Sequence, residues 1–299
     1  MKKIFLMLLI FSFFGATQVL AQDKEAPKEA HHGKTADELA KELNNPNNDV
    51  AKLTFKNQYR WYTGDLPDAD SQDNYTLLFQ PVFPFGLGQT EDHKSVLFFR
   101  PAIPFVSDQP VPAVKNGGFG WDTASGMGDI VFDLAYGRTY KSGWVGLAGI
   151  VGTLPAATDD DLKGKQLRLG PEAVFGYVQK WGLLAVFPSH QWDVYGWSEG
   201  EDYDYNTTTL QTFAMFTPGG GWSVGTQPIM TYDWENEHWT VPLNLFISKT
   251  VLFGKMPFKF DLDINYYVEQ PDDFGPEWMV GFNISPIVPN FISNWIRGK

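Results

Sequence analysis

Between Leu53 and Pro286 apolar and polar residues alternate with a period of two, and no apolar stripe of helical spacing and length interrupts them. In Phe258 to Glu269, one face carries Phe258, Phe260, Leu262, Ile264, Tyr266 and Val268. The other carries Lys259, Asp261, Asp263, Asn265, Tyr267 and Glu269. Leu53, Phe55, Tyr59 and Trp61 oppose Thr54, Lys56, Gln58 and Arg60 in the same way, and Ile130, Phe132, Leu134 and Tyr136 oppose Asp129, Asp133 and Ala135. About twelve such segments can be marked, near residues 51–62, 73–85, 94–105, 127–137, 144–155, 167–178, 182–192, 207–216, 222–232, 238–249, 257–268 and 277–286. Each has the length of a tilted membrane strand, whereas soluble strands average about five or six residues.

A soluble sandwich or barrel that buries its apolar face gives the same alternation. Besides strand length, two features favour the membrane. Large aromatics sit near strand ends on the apolar faces, among them Trp61, Tyr75, Tyr136, Trp144, Tyr177, Trp222, Trp239, Tyr266 and Trp278, as in an interfacial girdle. Charges concentrate on one strand face and in every second connection. The first, third, fifth and seventh connections are long or acidic (63–72, 106–126, 156–166, 193–206), and those between them are short (86–92, 138–143, 179–181, 217–221). An up-and-down meander with short periplasmic turns and longer outer loops gives this order, although Asp233 to Glu237 is short where a long loop is due. The expected fold is therefore all-β: a transmembrane antiparallel up-and-down β-barrel of about twelve strands over residues 50–288.

The remainder of the chain reads as address and accessory. Lys2 and Lys3, the apolar run Ile4 to Phe14 and Val19-Leu20-Ala21 form a secretory signal peptide over residues 1–21, with cleavage expected after Ala21 and localisation in the cell outer membrane. Residues 22–49 hold a polar leader and a short periplasmic helix from about Ala36 to Leu43. The capping-box spacing of Thr35 and Glu38 opens that helix and Asn44-Asn45-Pro46 stops it. A C-terminal tail covers residues 289–299. The chain has no Cys, which excludes a disulfide framework and a lipid anchor on an N-terminal Cys. Its 23 Lys and Arg against 35 Asp and Glu give a formal charge of −12, and no basic stripe is visible, so no nucleic-acid partner is expected.

Several stretches carry a resemblance: Gln80-Pro81-Val82-Phe83-Pro84-Phe85, Ser125-Gly126-Met127-Gly128-Asp129-Ile130, Leu154-Pro155 with Ala157-Thr158-Asp159-Asp160, and Leu169-Gly170-Pro171 with Ala173-Val174. Most specific is Tyr232-Asp233-Trp234-Glu235 running to Trp239-Thr240-Val241-Pro242-Leu243-Asn244. Together, over about Ala36 to Ile287, the chain resembles a bacterial outer-membrane family of transporter-like barrels related to the MetA-pathway phenol-degradation proteins, often mislabelled neuromedin U. The resemblance implies an outer-membrane barrel that passes small hydrophobic or aromatic molecules, and it brings no catalytic residues. The tail Pro289 to Lys299, with Trp295, Arg297 and Lys299, departs from that pattern.

If the polar face lines a lumen, Lys56, Arg60, Arg100, Asp129, Asp133, Arg168, Glu172, Lys259, Asp261, Asp263 and Glu269 point inward. They form either a charged eyelet that meets a small-molecule solute or a set of ion pairs that fill and stiffen the barrel. The expected partners are outer-membrane lipid, lipopolysaccharide and the barrel-assembly machinery. Channel activity by diffusion is the leading expectation. A structural or surface-interaction barrel with a closed lumen, or a lipid-modifying enzyme, is the alternative.

Enzymatic and metal signals are thin, and neither a catalytic residue nor a cofactor is expected. Gly196-Trp197-Ser198-Glu199-Gly200 and Gly221-Trp222-Ser223-Val224-Gly225 match G-x-S-x-G without the helix that a nucleophile elbow requires. Ser189 and His190 are adjacent, so on a strand they face opposite sides. Gly117-Gly118-Phe119-Gly120 lacks the lysine and strand-to-helix setting of a phosphate loop. His31-His32 lies in the leader, and Asp159-Asp160-Asp161 and Glu199, Glu201, Asp202 and Asp204 read as solvated loop acids that could take Ca²⁺ or Mg²⁺.

Overall fold

The computed structural model describes residues 35–290 apart from Asp49, residues 197–203 and Lys255. The expected signal peptide and its cleavage site, the leader to Lys34 with His31-His32, most of the motif around Ser198, Glu199, Glu201 and Asp202, and the tail beyond Asn290 lie outside the described residues.

The alternating segments are strands: β1 (Lys52–Thr63), β2 (Asp73–Gln89), β3 (His93–Lys115), β4 (Gly118–Met127), β5 (Ile130–Tyr140), β6 (Trp144–Leu154) and β7 (Gln166–Gln179). They continue through β8 (Gly182–Gly196), β9 (Asn206–Gly219), β10 (Trp222–Thr226), β11 (Ile229–Asp233), β12 (His238–Phe253), β13 (Met256–Glu269) and β14 (Gly275–Pro286). All belong to one antiparallel sheet, and β1 pairs with β14 from Phe55↔Ile284 to Thr63↔Gly275. That pairing closes the ring and leaves no edge whose backbone groups would go unmade in hydrocarbon. Because β10 and β11 succeed each other along one line of the wall and β4 pairs only with β3, the wall has twelve strands.

Two boundaries differ from the sequence reading, and proline explains both. The long connection over residues 106–126 is a hairpin: β3 runs on to Lys115 and β4 folds back on it, from Lys115↔Gly118 to Phe105↔Met127. Pro110 and Pro112 mask the strand pattern, yet prolines are tolerated where a strand lacks a second neighbour. The two-residue turn at its tip has positive φ at both Asn116 (52°) and Gly117 (79°), the type I′ geometry that asparagine and glycine accept. The ninth segment is split into β10 and β11 because Pro228 supplies no N–H to the ladder.

Orientation follows from register. Phe175, Leu184, Phe216, Leu243 and Leu245 are exposed on the outside, whereas Thr54, Asp133, Glu172, Lys259, Asp261, Asn265, Asn283 and Ser285 are buried within the ring. The expectation that each strand turns its whole apolar side outward needs one correction. Phe98, Leu147, Val174, Leu183, Met215 and Phe246 share the inward face with the polar residues and form a buried cluster, with Phe187 and Phe213 against it. A twelve-strand lumen is narrow enough for side chains to fill part of it.

Helix α1 (Ala36–Asn44) opens on a complete capping box: Thr35 Oγ1 accepts from Glu38 N and the Glu38 side chain accepts from Thr35 N at 2.7 Å. Leu39, Ala40 and Leu43 are buried, and the helix sits against β8, β9, β10 and β12 at the end of the barrel where the short turns lie.

Candidate functional site

Three strands converge their long polar side chains on one level of the lumen. Arg100 on β3 and Asp133 on β5 are register partners, and Arg100 Nε donates to Asp133 Oδ2 at 2.6 Å. Glu172 on β7, 4% exposed, comes within hydrogen-bonding reach of Asp133, and both its carboxyl oxygens lack a protein donor. Arg100 thus neutralises one of two neighbouring carboxyls directly and the other through space.

On the opposite side, Lys259 and Asp261 stand two apart on β13 and therefore on one face, with Nζ to Oδ1 at 3.3 Å. Asp263, next along that face, accepts from Asn244 Nδ2 at 2.6 Å. Lys56 on β1 joins the two halves: Arg100, Asp133, Asp261 and Asp263 all lie within electrostatic range of it. Lys52, which the sequence reading left out, reaches Lys259, Asp261 and Arg100 in the same way. Around the ring the cations Lys56 and Arg100 on β1 and β3 are followed by the carboxyls of Asp133 and Glu172 on β5 and β7, and Lys259, Asp261 and Asp263 on β13 complete the level.

The other candidates lie elsewhere. Arg60 is on the same face of β1 nearer the long loops, held by Gln58 Oε1 at 2.7 Å. Glu269 is exposed at the end of β13. Arg168 lies over the Tyr205 ring, 3.8 Å from its centroid. Asp129 precedes β5, and its carboxylate accepts from Gly164 N at 2.7 Å and Ala157 N at 3.1 Å, pinning the β6–β7 loop. We expect Asp129→Ala to release that loop, so that a protease cuts the folded barrel within residues 156–165 while its heat-shifted band on a gel is unchanged. Resistance equal to the parent would refute this role.

Register explains why the sequence found the individual charges but not their grouping. Arg100 and Asp133 are separated by 33 positions and meet only through the pairing of β3 with β5 across the intervening hairpin. Asn265 gave no signal beyond its place on the polar face, and Asn244 none beyond its place at the end of the stretch from Tyr232 to Asn244.

The remaining motifs resolve simply. Ser223 is buried in β10 and accepts from Asn44 Nδ2 at 2.8 Å, so it seats the helix instead of standing on an elbow. Ser189 pairs in register with Glu172 on the lumen face, whereas His190 lies on the other face beside Thr208 (2.7 Å) and Trp192. Gly117-Gly118-Phe119-Gly120 forms the hairpin tip and the start of β4. Of the loop acids, Asp160 is held by Lys163 at 2.5 Å, which keeps its carboxyl below the usual range, and Asp159 caps Asp161 N at 3.0 Å.

A closed antiparallel ring with an apolar exterior and a charged interior is an outer-membrane-type β-barrel with transmembrane strands. One solved structure supports the fold. An outer membrane channel from Pseudomonas putida F1 is similar with a TM-score of 0.56 at 12% identity, over 89% of this chain and 100% of that one. The β-domain of a Bordetella autotransporter aligns at 0.41 and 10% identity over 79% and 99% of the two chains, and outer membrane phospholipase A from Escherichia coli at 0.39 and 12% over 90% and 96%. No protein-family model matches the sequence, and comparison with curated proteins finds no match.

Proposed function

We propose that this protein is an outer-membrane channel through which small hydrophobic or aromatic molecules diffuse, in keeping with the resemblance to MetA-related transporter-like barrels. The observation that carries the reading is the charge-lined level formed by Lys56, Arg100, Lys259, Asp133, Glu172, Asp261 and Asp263 inside a wall that is apolar outside. A barrel that served only as a membrane scaffold could fill its lumen with apolar side chains and avoid the desolvation of these groups. In this reading residues 1–21 direct export and are removed after Ala21, and the barrel-assembly machinery inserts the product beside lipopolysaccharide.

Planar bilayers test it. Purified protein is expected to give stepwise conductance, and its reversal potential in a salt gradient should favour cations, because the chain carries a formal charge of −12. Absence of steps overturns the channel, and an anion-favouring potential overturns the cation preference. The closed-lumen reading has an observation of its own: α1 sits against β8, β9, β10 and β12, and the inward apolar cluster runs from Phe98 on β3 round to Phe246 on β12.

A further inference from the structure

The lumen cations are not all matched. Arg100 and Lys259 have carboxylate oxygens at 2.6 Å and 3.3 Å, on Asp133 and Asp261. On β1, Lys52, Lys56 and Arg60 follow one another along the lumen face, and among the described residues none of the three forms an ion pair with a carboxylate. At a strand rise of about 3.3 Å per residue they stand roughly 13 Å apart, from near the long loops to the short-turn end.

Arg60 is the first of the row that a solute entering from the long-loop side meets. Its Nη2 donates to Gln58 Oε1 at 2.7 Å and its Nη1 to Thr76 Oγ1 at 3.4 Å, and the Tyr267 hydroxyl lies within hydrogen-bonding reach. All three partners are neutral, and all three accept from it, since a guanidinium has no lone pair to offer. Each therefore keeps hydrogens of its own: the Thr76 and Tyr267 hydroxyls and the Gln58 amide give theirs to no acceptor among the described residues. A guanidinium also has more N–H groups than these acceptors use. The result is a surplus of donors around a fixed positive charge, which a bound anion answers and a neutral hydrocarbon does not.

The shape of the site selects the anion. A planar carboxylate matches the guanidinium fork and has lone pairs left for the flanking hydroxyls. Tyr62 and Tyr267 bring rings beside the fork, and buried Met279 on β14 is the register partner of Arg60. We propose that Arg60, Thr76 and Tyr267 form an entry subsite for the carboxylate of small aromatic acids, and that Lys56 and Lys52 pass the anion down the same strand towards the short-turn end. The proposal rests on the channel reading above and narrows its solute to a ring that carries a carboxylate. Successive weak sites suit a channel, since a solute must leave each one as readily as it enters. The formal charge of −12 acts on small inorganic ions through the acidic loops, whereas this row acts on a solute at hydrogen-bonding distance.

Benzoate, acetate and benzyl alcohol separate the parts, since they offer ring with carboxylate, carboxylate alone and ring alone. Added at the long-loop side of single barrels in a planar bilayer, benzoate should interrupt the current at concentrations about tenfold below those of acetate, and benzyl alcohol should not interrupt it. Arg60→Gln should raise the half-blocking concentration of benzoate about tenfold, with Arg60→Lys intermediate because it keeps the charge and loses the fork. Tyr267→Phe should raise it a few-fold and provides the answer if the arginine variants do not fold. Lys56→Gln should weaken the relief of block at voltages that drive benzoate onward, and relief equal to the parent overturns the onward path. Equal potency of acetate, interruption by benzyl alcohol, or block indifferent to both Arg60→Gln and Tyr267→Phe overturns the subsite while the channel stands. Absence of current steps in the parent overturns the channel reading, and titration calorimetry of the barrel in detergent then judges the subsite separately: benzoate heat that Arg60→Gln abolishes upholds it, and no heat in the parent overturns it.

Discussion

Deletion of residues 35–48 is expected to raise single-channel conductance several-fold and to leave the barrel folded. The ladder that closes the ring, from β1 through β14, includes no residue of α1, so a shortened protein should still migrate as a compact band until boiled. What deletion removes is a stopper with identifiable holds. Leu39 and Leu43 are 2% and 5% exposed, and such burial is worth about 2 kcal/mol per side chain. Asp37 accepts from Gly221 N in the β9–β10 turn, where three successive glycines have positive φ and bring the backbone close. Asn44 bonds to Thr217 and Ser223, and Asn45 and Asn47 bond to Thr139.

A helix of nine residues is unstable alone, so its order comes from these contacts. Those of the helix reach the neighbouring strands β9 and β10, and those of Asn45 and Asn47, just after it, reach β5. Gly137→Val offers a gentler test, since a Cβ there meets the Asn47 amide and should unseat the segment without removing it. Both variants conducting like the parent would mean that α1 does not obstruct the pore.

Replacing Arg100 by alanine is the second change with a large expected effect. It strips the guanidinium partner from Asp133, which is 6% exposed, and leaves the Glu172 carboxyl beside it. Removing one member of a buried pair costs about 3 kcal/mol, so the urea midpoint of the folded barrel in detergent should fall clearly. The surviving carboxyls should also shift the reversal potential towards cations. Arg100→Ala with Asp133→Ala tests the cause, because it removes the uncompensated charge and should regain much of the stability. If the double variant is no more stable than the single one, the loss comes from packing of Arg100 near Phe187, whose ring centroid is 5.8 Å away.

The architecture was legible in the sequence wherever lipid and lumen impose opposite demands on neighbouring residues. Lys259, Asp261 and Asp263 against Phe258, Phe260 and Leu262 announce both the strand and its sidedness. The signal weakens where the lumen itself is apolar: Phe98, Leu147 and Phe246 are the residue types that face lipid elsewhere, so composition cannot say that they point inward. The hairpin of β3 and β4 escaped because its prolines break the alternation that it nonetheless obeys. The grouping of the charges escaped for a different reason, since it depends on register between strands and period alone is silent on that.

The hairpin of β3 and β4 does more than lengthen a loop. Trp121 on β4 donates from its indole to Pro67 O at 2.7 Å, and its ring lies against Phe274, which stacks on Tyr62. One aromatic rivet therefore ties β4, the β1–β2 loop and the β13–β14 loop into a stiff arc on one side of the rim. The opposite side of the rim has a smaller tie of its own, in which Trp234 donates from its indole to Thr208 Oγ1 at 2.9 Å and lies against Tyr232, whose ring also meets Trp239. Two separate clasps of rings therefore brace the mouth, so loss of the hairpin would unfasten one of them and leave the other in place.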